Sequence, residues 1–271
     1  MKGYKMLKSD MMTIYGNMGY DIGKTYRFDR EIIPCIQGFH FSKDLIDCLK
    51  YYHNEHNDKR FFEVESGANV IEFMDKCVTD EITLVKELSL EEVLQYIREN
   101  KDTVNWTTIS NWQKLSEEFM REFKDKINWY SISMSRQLTE EFIRENQNKL
   151  DWRCISKYQQ LSEDFIREFE DEVHWYLISK YQKLSGEFIR EFEHKVSWYC
   201  IWRYQKLSER FIREFKDNAD WRYISKYQKL SEEFIREFKD DVNWEYISKY
   251  QKLSEEFIRE FEDKFNELLG Y

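Results

Sequence analysis

The sequence predicts an α-rich α+β protein: a small N-terminal α+β domain over residues 1–88, then an α-solenoid over residues 89–271 made of a capping unit plus seven 23-residue two-helix repeats. Three observations predict it. Trp stands at 106, 129, 152, 175, 198, 221 and 244, a step of 23 that never slips. Leu115, Leu138, Leu161, Leu184, Leu207, Leu230 and Leu253 keep the same step, each followed by Ser or Thr. Six of the eight Gly (Gly3, Gly16, Gly19, Gly23, Gly38 and Gly67) and the only Pro fall before residue 88, which leaves the periodic part almost free of helix breakers.

The elements follow in chain order. A first strand starts at Lys2-Gly3-Tyr4-Lys5, and Gly38-Phe39-His40-Phe41 reads as a strand with Phe39 and Phe41 toward the core and His40 outward, because successive side chains alternate. The Gly residues mark turns. Asp47 to Tyr52 (DCLKYY) and Phe62-Glu63-Val64-Glu65 are the next landmarks, followed by a strand over Ile82 to Lys86. Ser89 to Asn100 (SLEEVLQYIREN) shares the Ile-Arg-Glu ending of the later units and serves as their N-terminal cap.

Each repeat then reads as two helices. The first is capped by Asn105, Asn128, Asp151, Ser197, Asp220 or Asn243, with His174 the outlier, and carries Trp, then Ile three residues on, then usually Tyr six residues on, as one buried face. The second is capped by Ser116, Thr139, Ser162, Ser185, Ser208, Ser231 or Ser254, with Leu before the cap and Ile after it placed as a hydrophobic staple. Phe165, Ile166, Phe169 and Val173 make its apolar stripe, and Glu117 stands four residues before Arg121 in the favourable order, an arrangement that Gly186 breaks once. Helices of about 8 and 11 residues cannot stand alone, so stacking must hold them. Lys226 to Phe238 and Lys249 to Phe261 are the same thirteen residues, as tandem duplication would leave them.

Composition narrows the function. With 42 Lys plus Arg against 52 Asp plus Glu, the formal charge of −10 argues against nucleic acid as a partner, leaving room only for a local basic stripe. No apolar run is long enough to span a membrane, and five scattered cysteines form no disulfide framework, so a soluble cytoplasmic protein without cofactor or metal is expected. Cys48, His53 and His56 are possible metal ligands, but a His-x-x-His in a polar run is more often a solvated loop. The recurrent Trp, Leu, Ile and Phe are core, and the recurrent Arg-Glu is an inter-repeat ladder. The two positions after each Trp vary while the frame is fixed, which makes Tyr130, Arg153, Tyr176, Tyr199, Arg222, Tyr223 and Tyr246 the candidate partner-binding row.

The pattern W-x-x-I-S-x-x-Q-x-L-S-E-x-F-I-R-E over about residues 89–265 resembles helical repeats of bacteriophage and giant-virus proteins. The segment with Tyr20-Asp21-Ile22-Gly23-Lys24-Thr25-Tyr26, Gly38-Phe39-His40-Phe41 and Tyr51-Tyr52 resembles a small uncharacterised domain common in phage genomes, and more distantly the ADP-ribosyltransferases. That second resemblance implies a nucleotide site with His40, Tyr52 and Glu87, although the family's His-Gly-Thr or Arg-Gly opening motif is absent. The expected function is an acidic helical-repeat scaffold of phage or viral type that binds a host or viral protein in the host cytoplasm, one version being an inhibitor of a host defence enzyme whose basic channel an acidic surface can block. The alternative is an ADP-ribosyltransferase-like enzyme with a repeat targeting arm.

Overall fold

The structure is a computed structural model that describes residues 1–13, 18–50, 59–112, 115–134 and 138–269. It is a small antiparallel-sheet domain followed by repeated helices. The head contains β1 (Lys2–Lys8), β2 (Thr25–Arg27), β3 (Phe39–Phe41), α1 (Leu45–Lys50), β4 (Lys59–Ser66), β5 (Val70–Phe73), β6 (Lys76–Thr79) and β7 (Glu81–Leu88). Four strands pair in the order β1-β4-β7-β2 and three in the order β3-β6-β5, all antiparallel. Leu7, Phe39, Phe41, Phe62, Val64, Ile82 and Leu84 bury their side chains in one core. Gly3 lets β1 cross β3, since a Cβ there would stand 2.5 Å from the Phe41 ring. His40 is half-buried rather than outward, because its Nε2 accepts the Cys35 N–H at 3.0 Å.

The capping helix α2 (Leu90–Glu99) opens on a capping box in which Ser89 and Glu92 each take the other's backbone N–H. The first helices of the repeats are Trp106–Ser110, Trp129–Ser133, Trp152–Tyr158, Trp175–Tyr181, Trp198–Tyr204, Trp221–Tyr227 and Trp244–Tyr250. The second are Glu117–Glu122, Glu140–Glu145, Glu163–Glu168, Gly186–Glu191, Glu209–Glu214, Glu232–Glu237 and Glu255–Glu260, and Glu262–Leu269 closes the chain. Residues Met1–Ile132 form one compact unit and Ser133–Tyr271 a second.

These helices are shorter than the apolar periodicity suggests, five to seven residues for the first and six for the second. Phe169 and Val173 are buried as expected, but they lie past the helix end: Phe169 is the C-cap, and Val173 N–H bonds back to Phe169 O in a separate turn. The following Trp takes a carbonyl freed there, as Trp175 Nε1 does from Glu170 O at 2.9 Å. All seven Ser or Thr caps accept the N–H three residues on, at ψ near 155°. The first-helix caps sit at ψ near 100°, where the longer Asn or Asp side chain reaches the N–H and the Ser197 hydroxyl does not. Ser197 therefore makes no side-chain cap bond, contrary to expectation.

His174 makes none either, and its Nδ1 is buried without a partner. A His174→Asp variant should accept the Leu177 N–H as Asp151 accepts that of Cys154, and gain about 1 kcal/mol. An unchanged or lower denaturation midpoint would contradict this account of the cap.

Three ladders tie repeat to repeat. Arg144, Arg167, Arg190, Arg213 and Arg236 each bind the Glu 24 residues on, at 2.7–2.8 Å, and lie over the Phe of that next repeat. The expected Arg-Glu ladder is thus present. Buried Gln182, Gln205 and Gln228 each donate Nε2 to two carbonyls of the preceding repeat and accept its Leu N–H. Ser133, Ser156, Ser179 and Ser225 accept the N–H of the residue that opens the next repeat's first helix.

Candidate functional site

The row predicted after each Trp is exposed at its first position. Tyr130, Arg153, Tyr176, Tyr199 and Arg222 point to solvent, whereas Tyr223 and Tyr246 are half-buried against neighbouring rings. In the second unit this row continues into the Tyr six residues after each Trp, expected on the buried face but exposed at Tyr181, Tyr204, Tyr227 and Tyr250, and into the cation before it, which the sequence reading passed over. Four and five residues after the first row position of each first helix stand a cation and a Tyr: Lys157 and Tyr158, Lys180 and Tyr181, Arg203 and Tyr204, Lys226 and Tyr227, Lys249 and Tyr250.

These side chains interleave across repeats. Lys157 lies over the rings of Tyr158 and Tyr181, Lys180 over Tyr181 and Tyr204, Arg203 over Tyr204 and Tyr227, and Lys226 over Tyr227 and Tyr250, at 4.6–5.8 Å. Arg203 also donates to the Tyr199 hydroxyl at 2.5 Å, and Tyr199 meets Tyr223 edge-on at 5.0 Å. The recurrent Lys-Tyr or Arg-Tyr pair was the signal in the sequence that could have found this row.

Charge is divided between the two helix sets. From residue 152 onward the first helices carry Arg153, Lys157, Lys180, Arg203, Arg222, Lys226 and Lys249 against one acid, Glu245. Glu245 is taken by Lys249, and among the described residues no carboxylate is within ion-pair distance of the other six. The second-helix arginines of the ladder are all paired. Hydrogen bonding to Tyr181 raises the pKa of Lys180 above the ordinary lysine range, and Tyr199 does the same for Arg203, so both stay charged.

Of the three head residues, the two described ones, His40 and Glu87, do not share a site. His40 lines a cavity of about 480 Å³ together with Lys5, Tyr20, Phe39, Phe41 and Cys48, and burial with the nearby Lys5 charge lowers its pKa. Glu87 lines a different cavity, beside Phe61 and Trp112, and is held by both Nε and Nη2 of Arg60, at 2.7 and 2.5 Å. Tyr52, like His53 and His56, lies outside the described residues. Among the described residues no group of three His, Cys, Asp or Glu could hold a metal, and no helix is long and apolar enough to cross a membrane.

The fold and this surface define the class of protein: an α+β head joined to a helical-repeat array that presents an ordered aromatic and cationic row. Residues 1–96 match the family model of a domain of unknown function, DUF7666, which covers the head and most of α2. No curated protein and no solved structure matches the chain.

Proposed function

We propose that the chain is a binding protein whose repeats hold an acidic protein surface on the first-helix row. The observation that carries this reading is the set of six first-helix cations without carboxylate partners, beside five ladder arginines that are all paired. Net charge alone pointed to an acidic surface meeting a basic partner. The ladder glutamates of the second helices are instead engaged with arginines, and the charge carried by the first helices from residue 152 onward is positive. Tyr hydroxyls and ammonium groups are donors suited to carboxylates, and aromatic anchors beside cations are what interaction hot spots use.

Protein is favoured over single-stranded nucleic acid because the Tyr faces that a base would stack on already carry Lys or Arg. The resemblance of the repeats to phage and giant-virus proteins supports a host or viral partner, a host defence enzyme among them. The transferase alternative would need His40 and Glu87 to meet, and they line separate cavities.

The test is affinity capture from nuclease-treated lysate with the full chain and with a Lys180→Glu, Arg203→Glu, Lys226→Glu variant. All three positions are at least partly exposed, so the fold should survive, as circular dichroism would check. The wild type should retain a discrete protein and the variant should hold it at least about tenfold more weakly. Equal retention by both baits, or none by either, would remove the row from the explanation.

A further inference from the structure

Lys5 is a lysine in the core of the head. On β1 the alternation places Gly3, Lys5 and Leu7 on one face, and Leu7 is fully buried in the core with Phe62, the residue paired opposite Lys5. Lys5 is only 8% exposed. Its Nζ donates to His40 O at 2.5 Å and lies 5.2 Å from the centre of the Tyr20 ring. Two of its three donors are left over.

A buried ammonium needs a counter-charge. Among the described residues no carboxylate lies within ion-pair distance of Lys5, and no Asp or Glu lines the 480 Å³ cavity that it shares with His40. The Cys48 thiol also faces it, but burial pushes that thiol up to about 12, and burial likewise lifts Tyr20 well above the usual phenol range. Neither is an anion at neutral pH. Among the described residues the lining is therefore largely aromatic and apolar, with the Thr13 and Ser42 hydroxyls, positive charge and no carboxylate, and its volume is that of a small-molecule site.

We propose that this cavity binds a small organic anion, its carboxylate or phosphate on Lys5 Nζ and its apolar body against Tyr20, Phe39 and Phe41. Burial brings the Lys5 ammonium down to about 8, so the empty site is charged at neutral pH and loses that charge above about 8, and a bound anion would hold the proton to higher pH. The other titratable and charged groups facing the cavity are Tyr4, Cys35, His40 and Lys76.

The experiment is calorimetric titration of the full chain with benzoate, phenyl phosphate and the neutral benzamide. One anion should bind at least about tenfold more tightly than benzamide, and which of the two does so separates a carboxylate site from a phosphate site. A Lys5→Met variant should lose at least about tenfold in that affinity. In the wild type the affinity should weaken by up to about tenfold per pH unit above about 8, since the free site then must take up a proton to bind. A Cys35→Ser variant should keep that profile. Binding of neither anion, equal binding of benzamide, an unchanged Lys5→Met affinity, or a flat wild-type profile across about pH 7 to 9.5 would each overturn the proposal. The pH series needs no variant and holds even if Lys5→Met fails to fold.

Discussion

Replacing Gln205 by Met should cost about 3–5 kcal/mol, a large share of the roughly 5–15 kcal/mol that holds an ordinary domain together. Methionine keeps the length and apolar stem of the side chain, so the loss is polar rather than steric. Gln205 Nε2 donates to Ser179 O and Gln182 O, both at 2.8 Å, and its Oε1 accepts Leu184 N–H at 3.2 Å. All three partners belong to the preceding repeat. Gln205 is buried, so water does not take over when the amide is removed, and each stranded backbone group costs about 1–3 kcal/mol. The exposed neighbour Lys206 is the control, and Lys206→Met should stay within about 0.5 kcal/mol of the parent. Hydrogen exchange gives the local reading: Leu184 N–H should lose protection first in the Gln205 variant. A cost below about 1 kcal/mol would mean that the glutamine ladder is geometry without energetic weight.

The same ladder shows where sequence reading stops. Caps were legible because they are local: Ser162 and the Phe165 N–H it accepts are three residues apart. The burial of Gln182 was not, because its partners are Ser156 and Gln159 of the previous repeat, and no local pattern separates a buried amide from a solvated one. Helix lengths failed for a related reason. Periodicity counts buried positions, and Phe169 and Val173 are buried from a turn. Of the candidate site, the exposed half of the row at Tyr176, Tyr199 and Arg222 followed from the fixed frame. That Lys180 and Arg203 carry no carboxylate partner is a fact of three dimensions. Lys5 was within reach, since the Gly3, Lys5, Leu7 alternation puts a charge where an apolar side chain belongs.

Two of the fifth repeat's departures from its neighbours should prove to be one change. Trp202 stands where Ser110, Ser133, Ser156, Ser179 and Ser225 stand elsewhere, and Ala219 stands where other repeats have Ile127, Leu150, Val173, Val196 or Val242. Trp202 is 1% exposed, stacks on Trp198 at 5.2 Å and donates Nε1 to Asn218 O at 3.1 Å. The chain around that carbonyl has given way to a 3-10 turn over Lys216–Asn218, and Ala219 N–H goes to Lys216 O, whereas Val196 N–H goes to Phe192 O. The indole thus occupies volume that a branched side chain and a serine bridge fill in the other repeats.

Trp202→Ser alone should therefore leave a cavity that Ala219 cannot fill, at about 3–5 kcal/mol. Ala219→Val alone crowds the indole, at about 1–3 kcal/mol. The double variant recreates the Ser and Val of the neighbouring repeats and should lie within about 1 kcal/mol of the parent, a coupling of about 3 kcal/mol or more. A denaturation cycle on the four proteins measures it. Additive losses would show that the two departures arose independently and that the serine bridge does not re-form. Recovery in the double variant would show that a repeat of this array can exchange one packing solution for another while its neighbours stay in register.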